Sequence, residues 1–181
     1  MSNPVIHSVH IYDESASLIK RLCGIVSSGL QAGNAVLIVA TKEHRERLCK
    51  ELADAATNVQ QETQAGRLAM FDAEKILGTF MLGGKPDRAL FIQSIGTLLE
   101  AARKKARSKD AGLIVFGEMV GVLWEQGNKQ GALELEQLWS DTLNSRAFHL
   151  HCAYPRSTFM KTGDEAGLAE VCRAHSQVMV Q

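Results

Sequence analysis

The stretch Ala35-Val36-Leu37-Ile38-Val39-Ala40 decides the fold. Successive side chains of a strand point to opposite faces, so a half-exposed strand alternates apolar and polar residues. Residues 35–40 are apolar at both parities. Both faces must therefore be buried, as in a parallel sheet with helices above and below. Leu113-Ile114-Val115-Phe116 repeats the pattern later in the chain.

Reading outward from residue 35, Ala32-Gly33-Asn34 stops a helix over 13–31, marked by Leu18, Leu22, Ile25, Gly29 and Leu30 at helical spacing. Asp13 is its expected cap. Residues 5–12 precede it as a first strand. On the other side, Thr41 caps a helix over 42–55, with Leu48, Leu52 and Ala55 inward and Glu43, Arg45, Glu46, Lys50 and Glu51 outward. Residues 58–65 read as irregular, and 68–71 as a short strand. Asp72 caps a helix carrying Ile76, Leu77, Phe80 and Met81, which Gly83-Gly84-Lys85-Pro86 breaks. Pro86 is expected to open a long helix lined by Phe91, Ile95, Leu98, Leu99 and Ala102. Strand 112–116 leads to helices over 118–126 and 129–146, the latter lined by Leu135, Leu138, Trp139, Thr142 and Leu143. A strand over 148–153, a helix over 164–175 and an edge strand over 176–180 complete the series. Strands alternating with helices predict one α/β domain over 1–181, with a three-layer, mostly parallel sheet.

Composition narrows the function classes. Of 181 residues, 45% are hydrophobic and 22% charged, the profile of a globular chain. Twenty Lys+Arg balance twenty Asp+Glu, without the basic excess of a protein that lives on a phosphate backbone. The one basic patch, Arg103, Lys104, Lys105, Arg107 and Lys109, falls where a helix C-terminus favours cations. No direct nucleic-acid contact is expected. No apolar run is long enough to span a membrane, and the first residues lack a secretory pattern, so the expected compartment is the cytoplasm. Cys23, Cys49, Cys152 and Cys172 form no C-x-x-C pair and read as small buried hydrophobes.

In open parallel sheets the functional crevice lies beyond the carboxyl ends of the strands. That rule selects Tyr12 and Asp13, Thr41, Asp72, Gly117 and Glu118, and Tyr154 and Pro155. His10 is either a hydrogen-bonded core histidine or a polar contact in a pocket. Glu118, after an apolar strand and a glycine, either favours the start of the next helix or faces a ligand as an acid or base. Met119, Trp124, Phe80 and Met81 are available as apolar lining or as plain core. His149 and His151 share one strand face, but no third ligand of known position accompanies them, so no metal and no cofactor are expected. His175 has a structural explanation at a helix C-terminus.

The ordered motifs resemble one family. They are His10-Ile11-Tyr12-Asp13, Gly29-Leu30-Gln31-Ala32-Gly33, Gly66-Arg67-Leu68, Phe116-Gly117-Glu118-Met119 with Trp124, Leu135-Glu136-Gln137-Leu138-Trp139, Cys152-Ala153-Tyr154-Pro155 and Cys172-Arg173-Ala174-His175-Ser176. Together they resemble the MEDS family, the sensory domain of methanogen and methylotroph regulators. That family looks like a RecA/KaiC-like core without a P-loop, with Glu118 near the acidic position that ends the Walker B strand. The resemblance implies a stand-alone, non-enzymatic signal-transduction domain. It would bind a small, hydrocarbon-derived or C1-type ligand through His10, Tyr12, Asp13, Glu118, Met119, Trp124 and Tyr154. No kinase module or helix-turn-helix follows His175, so the signal would pass to a separate signalling protein, a kinase or transcription regulator, or through self-association. The competing readings are a protein-interaction domain with a filled crevice, and an enzyme, either a residual nucleotide-binding protein or a hydrolase using Glu118 with His10.

The place of a phosphate loop reads His10-Ile11-Tyr12-Asp13-Glu14-Ser15, with no glycine and no lysine. Asp13 and Glu14 set negative charge where a phosphate would sit. Mg²⁺-ATP should therefore give no thermal shift and no hydrolysis; micromolar affinity for it would reject the degenerate-core reading.

Overall fold

A computed structural model describes residues 5–108 and 111–180. Its centre is a six-stranded sheet in the order β3-β2-β6-β7-β1-β8. The strands are β1 (Ile6–Tyr12), β2 (Ala35–Ala40), β3 (Leu68–Asp72), β6 (Leu113–Gly117), β7 (His149–Pro155) and β8 (Gln177–Val180). Every neighbouring pair in the sheet is parallel. A separate two-stranded hairpin joins β4 (Met81–Leu82) to β5 (Lys85–Pro86) through Gly83 and Gly84, both at positive φ. Such a turn matches the strand twist and suits glycine.

The helices are α1 (Ser15–Gln31), α2 (Lys42–Asp54), α3 (Val59–Gln64), α4 (Ala73–Leu77), α5 (Arg88–Arg103), α6 (Met119–Glu125), α7 (Lys129–Ser145), α8 (Arg156–Thr162) and α9 (Glu165–Arg173). They divide the core in two. Leu18, Leu22 and Val26 of α1 with Leu48 and Leu52 of α2 cover one face, against Val36, Ile38, Ile114 and Phe116. Residues of α4–α7 and α9 cover the other, against Val9, Leu37, Val39, Val115, Leu150 and Cys152. The expected three-layer α/β architecture is what forms, and β2 is buried at every position.

Several local expectations need correction. Residues 58–65 are not irregular: Asn58 accepts from Gln61 N and starts α3. Pro86 does not open α5. It ends the hairpin, and the Asp87 carboxylate caps the helix by accepting from Leu90 N. Asp13 does not cap α1; Glu14 holds that position without a side-chain bond. Ala55 is exposed at the end of α2, where His44 instead extends the buried stripe of Leu48 and Leu52. Helix α8 follows β7 directly and was not legible. Lys109 lies outside the described residues.

Helix α6 runs close to β7. A Cβ on Gly121 would stand 2.5 Å from the Ala153 carbonyl oxygen, and backbone cannot swing aside. In an open helix Gly→Ala stabilises by about 1 kcal/mol. Here overpacking of about 1–3 kcal/mol opposes that gain. Gly121→Ala should lower the urea midpoint, while Gly24→Ala, with open space at its Cβ, should raise it.

Candidate functional site

A cleft of about 230 Å³ opens beyond the carboxyl ends of β1, β2, β6 and β7. It is lined by Tyr12, Ser15, Thr41, Glu43, His44, Glu118, Gly121, Val122, Glu125, Ala153 and Pro155. Larger hollows lie beside Arg103 and Lys104 at the carboxyl end of α5, and beside Met81 and Gly84 of the hairpin; among the described residues none gathers a convergent set of buried titratable groups.

Glu118 organises the cleft. Its backbone N–H donates to Val39 O at 3.1 Å, which ties the end of β6 to β2. Its carboxylate does not cap α6. One oxygen accepts from Thr41 N at 2.6 Å and the other lies 2.7 Å from His44 Nδ1. His44 Nε2 in turn lies 2.9 Å from Ser15 Oγ. Ser15, His44 and Glu118 thus form a hydrogen-bonded chain, assembled from the first turns of α1 and α2 and the end of β6. With Nδ1–H on the carboxylate, a neutral His44 offers Nε2 to the Ser15 hydroxyl.

The local charges reinforce one another. Burial works to lower the His44 pKa, but the hydrogen bond and charge of Glu118 outweigh it, and the ring is raised above 6.5. Burial, then the Glu118 charge, pushes the Tyr12 phenol well up. The same two causes raise Glu125. Tyr12 also meets the His44 ring edge-on, with centroids 6.0 Å apart.

The expected site residues do not all arrive at this place. Tyr12 and Glu118 share the cleft. His10 lies on the same sheet face but deeper, with Nε2 3.4 Å from His151 Nδ1, to which Ser8 Oγ is hydrogen-bonded at 2.7 Å. The imidazole that meets Glu118 is His44. Asp13 is exposed and pairs with Arg156 at 3.1 Å. Met119 and Trp124 face the opposite core, as does Phe80, with Met81 packed against it; the side of α6 toward the cleft is Gly121, Val122 and Glu125. Tyr154 also points to that opposite core, where its hydroxyl donates to Glu136 at 2.7 Å and its ring packs edge-on against Trp124. His44 had a readable signal, since it stands four residues before Leu48 on the buried stripe of α2. Ser15 had none beyond its place one turn past a strand end.

The structure is thus a parallel α/β sheet with a polar cleft at its carboxyl edge, where the first strand leads into its helix without a glycine- and lysine-containing phosphate loop. Residues 6–176 match the family model of the MEthanogen/methylotroph, DcmR Sensory domain, MEDS. The chain belongs to this family of sensory domains, and its role is in sensing and signal transduction. No curated protein matched the chain. Among the described residues no helix is long and apolar enough to cross a membrane.

The buried histidines set a pH dependence. Burial first, then the charges of His151, Arg21 and His175, lower His10 from 6.5 to about 3. On acidification the unfolded chain therefore takes up this proton before the folded one. The contribution of neutral His10 is fully present above pH 6.5 and is lost as pH falls toward 3. His44 has the opposite sign: its pairing stabilises below pH 6.5 and fades as pH rises through its raised value. In urea titrations, His10→Gln should flatten the loss of stability between pH 6.5 and 4. His44→Gln should lose more stability at pH 6 than at pH 9, by roughly 1–3 kcal/mol against wild type at the lower pH.

Proposed function

We propose that the cleft around Glu118 is the sensory site of this domain and takes a small, neutral or cationic organic molecule. The observation that carries this reading is the Ser15–His44–Glu118 chain, an aimed set of donors and acceptors at the floor of a hollow of about 230 Å³. Small-ligand sites pair a few placed polar groups with apolar walls, which Val122, Ala153 and Pro155 supply here. Glu43, Glu118 and Glu125 face a single imidazole, so anions such as phosphates are disfavoured and alcohols or amines of one to four carbons suit. That is the chemistry of a hydrocarbon-derived signal. An open hollow at this place supports a ligand site over a filled crevice that only docks protein. The signal is read by a separate cytoplasmic protein, a kinase or transcription regulator, or by self-association, without direct nucleic-acid or membrane contact.

The same chain favours one other reading. A hydroxyl, an imidazole and a carboxylate linked in series can activate a nucleophile. Ser15 stands in the first turn of the 17-residue helix α1, where backbone N–H groups stabilise negative charge. This would make the domain an acyl-transfer enzyme.

A thermal-shift panel of C1–C4 alcohols and amines separates the two. Ligand binding raises stability by RT ln(1 + [L]/Kd). The sensory reading expects at least one compound to stabilise wild type, with the shift reduced at least tenfold in apparent affinity by Glu118→Gln and by Ser15→Ala. Equal stabilisation of all three proteins, or none by any compound, removes the cleft as the sensory site. Stoichiometric labelling of Ser15 by a fluorophosphonate, absent in His44→Gln, would establish the hydrolase reading instead.

A further inference from the structure

On the sheet face opposite the cleft, four side chains converge in the core. His7 extends from β1 and Cys152 from the neighbouring β7, at positions of the same parity as Val9 and Leu150. Glu136 reaches down from α7, and His175 stands between α9 and β8. All four residues are buried, and their ligating atoms lie within 4.8 Å of one another. Glu136 interrupts the apolar run Ala132, Leu135, Leu138 and Trp139 of α7, a position that helix packing alone would give to leucine.

The two nitrogen–carboxylate distances are longer than ordinary hydrogen bonds, and the two sulfur contacts are the long, weak hydrogen bonds a thiol makes. Glu136 Oε2 is 3.4 Å from His7 Nε2, 3.4 Å from His175 Nε2 and 3.6 Å from Cys152 Sγ. Cys152 Sγ is 3.7 Å from His7 Nε2. Around a tetrahedral zinc ion, with bonds of about 2.0–2.3 Å, neighbouring donor atoms stand about 3.3–3.7 Å apart. Elsewhere in the same cluster the bonds are short: Tyr154 donates to Glu136 Oε1 at 2.7 Å, and His175 Nδ1 donates to Val171 O at 2.7 Å. These outer bonds orient the ligand atoms. The Val171 bond puts the proton of His175 on Nδ1, which turns the Nε2 lone pair inward. Nε2 has no hydrogen-bond partner, and the side chain is 0% exposed. Outer-shell partners of this kind, a backbone carbonyl on the far ring nitrogen and a hydrogen bond on the free carboxylate oxygen, are what fix metal ligands.

We propose that His7 Nε2, Glu136 Oε2, Cys152 Sγ and His175 Nε2 bind one divalent transition-metal ion, zinc foremost, in a closed four-coordinate site. Two nitrogens, one sulfur and one oxygen match zinc's preference, and four protein ligands leave no open position for catalysis. Loading releases the Cys152 thiol proton to solvent. The dication then meets one thiolate and one carboxylate, so the buried assembly is neutral, which removes the main cost of placing charge in the core. The His149–His151 pair is not part of this site. The segment holding His175 is locked beside β1 by Ser176, whose N–H donates to His7 O at 2.8 Å. A metal here would therefore pin the approach to edge strand β8 onto β1, β7 and α7. The site stands apart from the cleft and does not depend on the reading given to it.

The site is closed, so the ion enters during folding, and the test is made on the full chain. The protein is unfolded with chelator and refolded with zinc or cobalt(II). One ion per chain is expected, with a tetrahedral cobalt spectrum carrying a thiolate charge-transfer band. Cys152→Ser should lose that band, whereas Cys49→Ser and Cys172→Ser should keep it. Tyr154→Phe, which leaves all four ligands in place, should weaken zinc binding at least tenfold. X-ray absorption on the zinc form of wild type, which needs no variant to fold, should show one sulfur and three lighter donors. The proposal is overturned if wild type refolds without binding either ion, if Cys152→Ser retains the band, or if the absorption data show no sulfur donor.

Discussion

A parallel sheet cannot be closed by hairpins. Each strand must be reached by a crossover, and each crossover needs an apolar face on which to lie. In this chain that constraint is set by β2 and β6, which are buried on both sides. They force α1 and α2 onto one face and α4–α7 onto the other. Every strand then enters from the same end of the sheet and leaves at the same opposite end. The cleft follows directly, because the first turns of α1, α2 and α6 gather around the exits of β1, β2 and β6.

The fold was largely legible because two-sided burial leaves a pattern that no other element leaves: apolar residues at both parities, bounded by capping residues and glycines. The site was legible only in part. A strand-end rule locates the end of a strand, but it does not say which face an end residue takes. Register decides that. Tyr12 stands opposite Pro155 and Ile11 opposite Tyr154, so Tyr154 shares the face of Ile11 and leaves the crevice. Helical periodicity likewise turns Met119 and Trp124 into the opposite core and Glu125 to the cleft, with Val122 touching both. His44 could have been found, since it continues the stripe of Leu48 and Leu52. The meeting of His7, Glu136, Cys152 and His175 could not, because it joins four elements whose mutual packing no local pattern specifies. Glu136 alone left a trace, as a carboxylate within an apolar helix face.

Two buried carboxylates thus sit on opposite faces of one sheet and are handled differently. Glu118 is partnered by a backbone N–H and an imidazole at hydrogen-bond distance, and it borders solvent through the cleft. Glu136 has a single short partner, Tyr154, with His7 Nε2, His175 Nε2 and Cys152 Sγ held further away. A carboxylate with one oxygen well bonded and the other surrounded at 3.4–3.6 Å is balanced by its surroundings as a group, not by one neighbour. Charge complementarity in a dry region then depends on all members being present together.

The approach of Gly121 to the Ala153 carbonyl has a mechanical consequence. Helix α6 has no room to roll on β7, because any side chain turned into that contact would strike backbone. The helix is indexed like a keyed shaft. Val122 and Glu125 are thereby held at a fixed angle to the cleft. The residue after Ala153 along β7 is Tyr154, whose hydroxyl rests on Glu136 across the sheet. One glycine thus lets α6 lie directly on the backbone that carries Tyr154 to the other face.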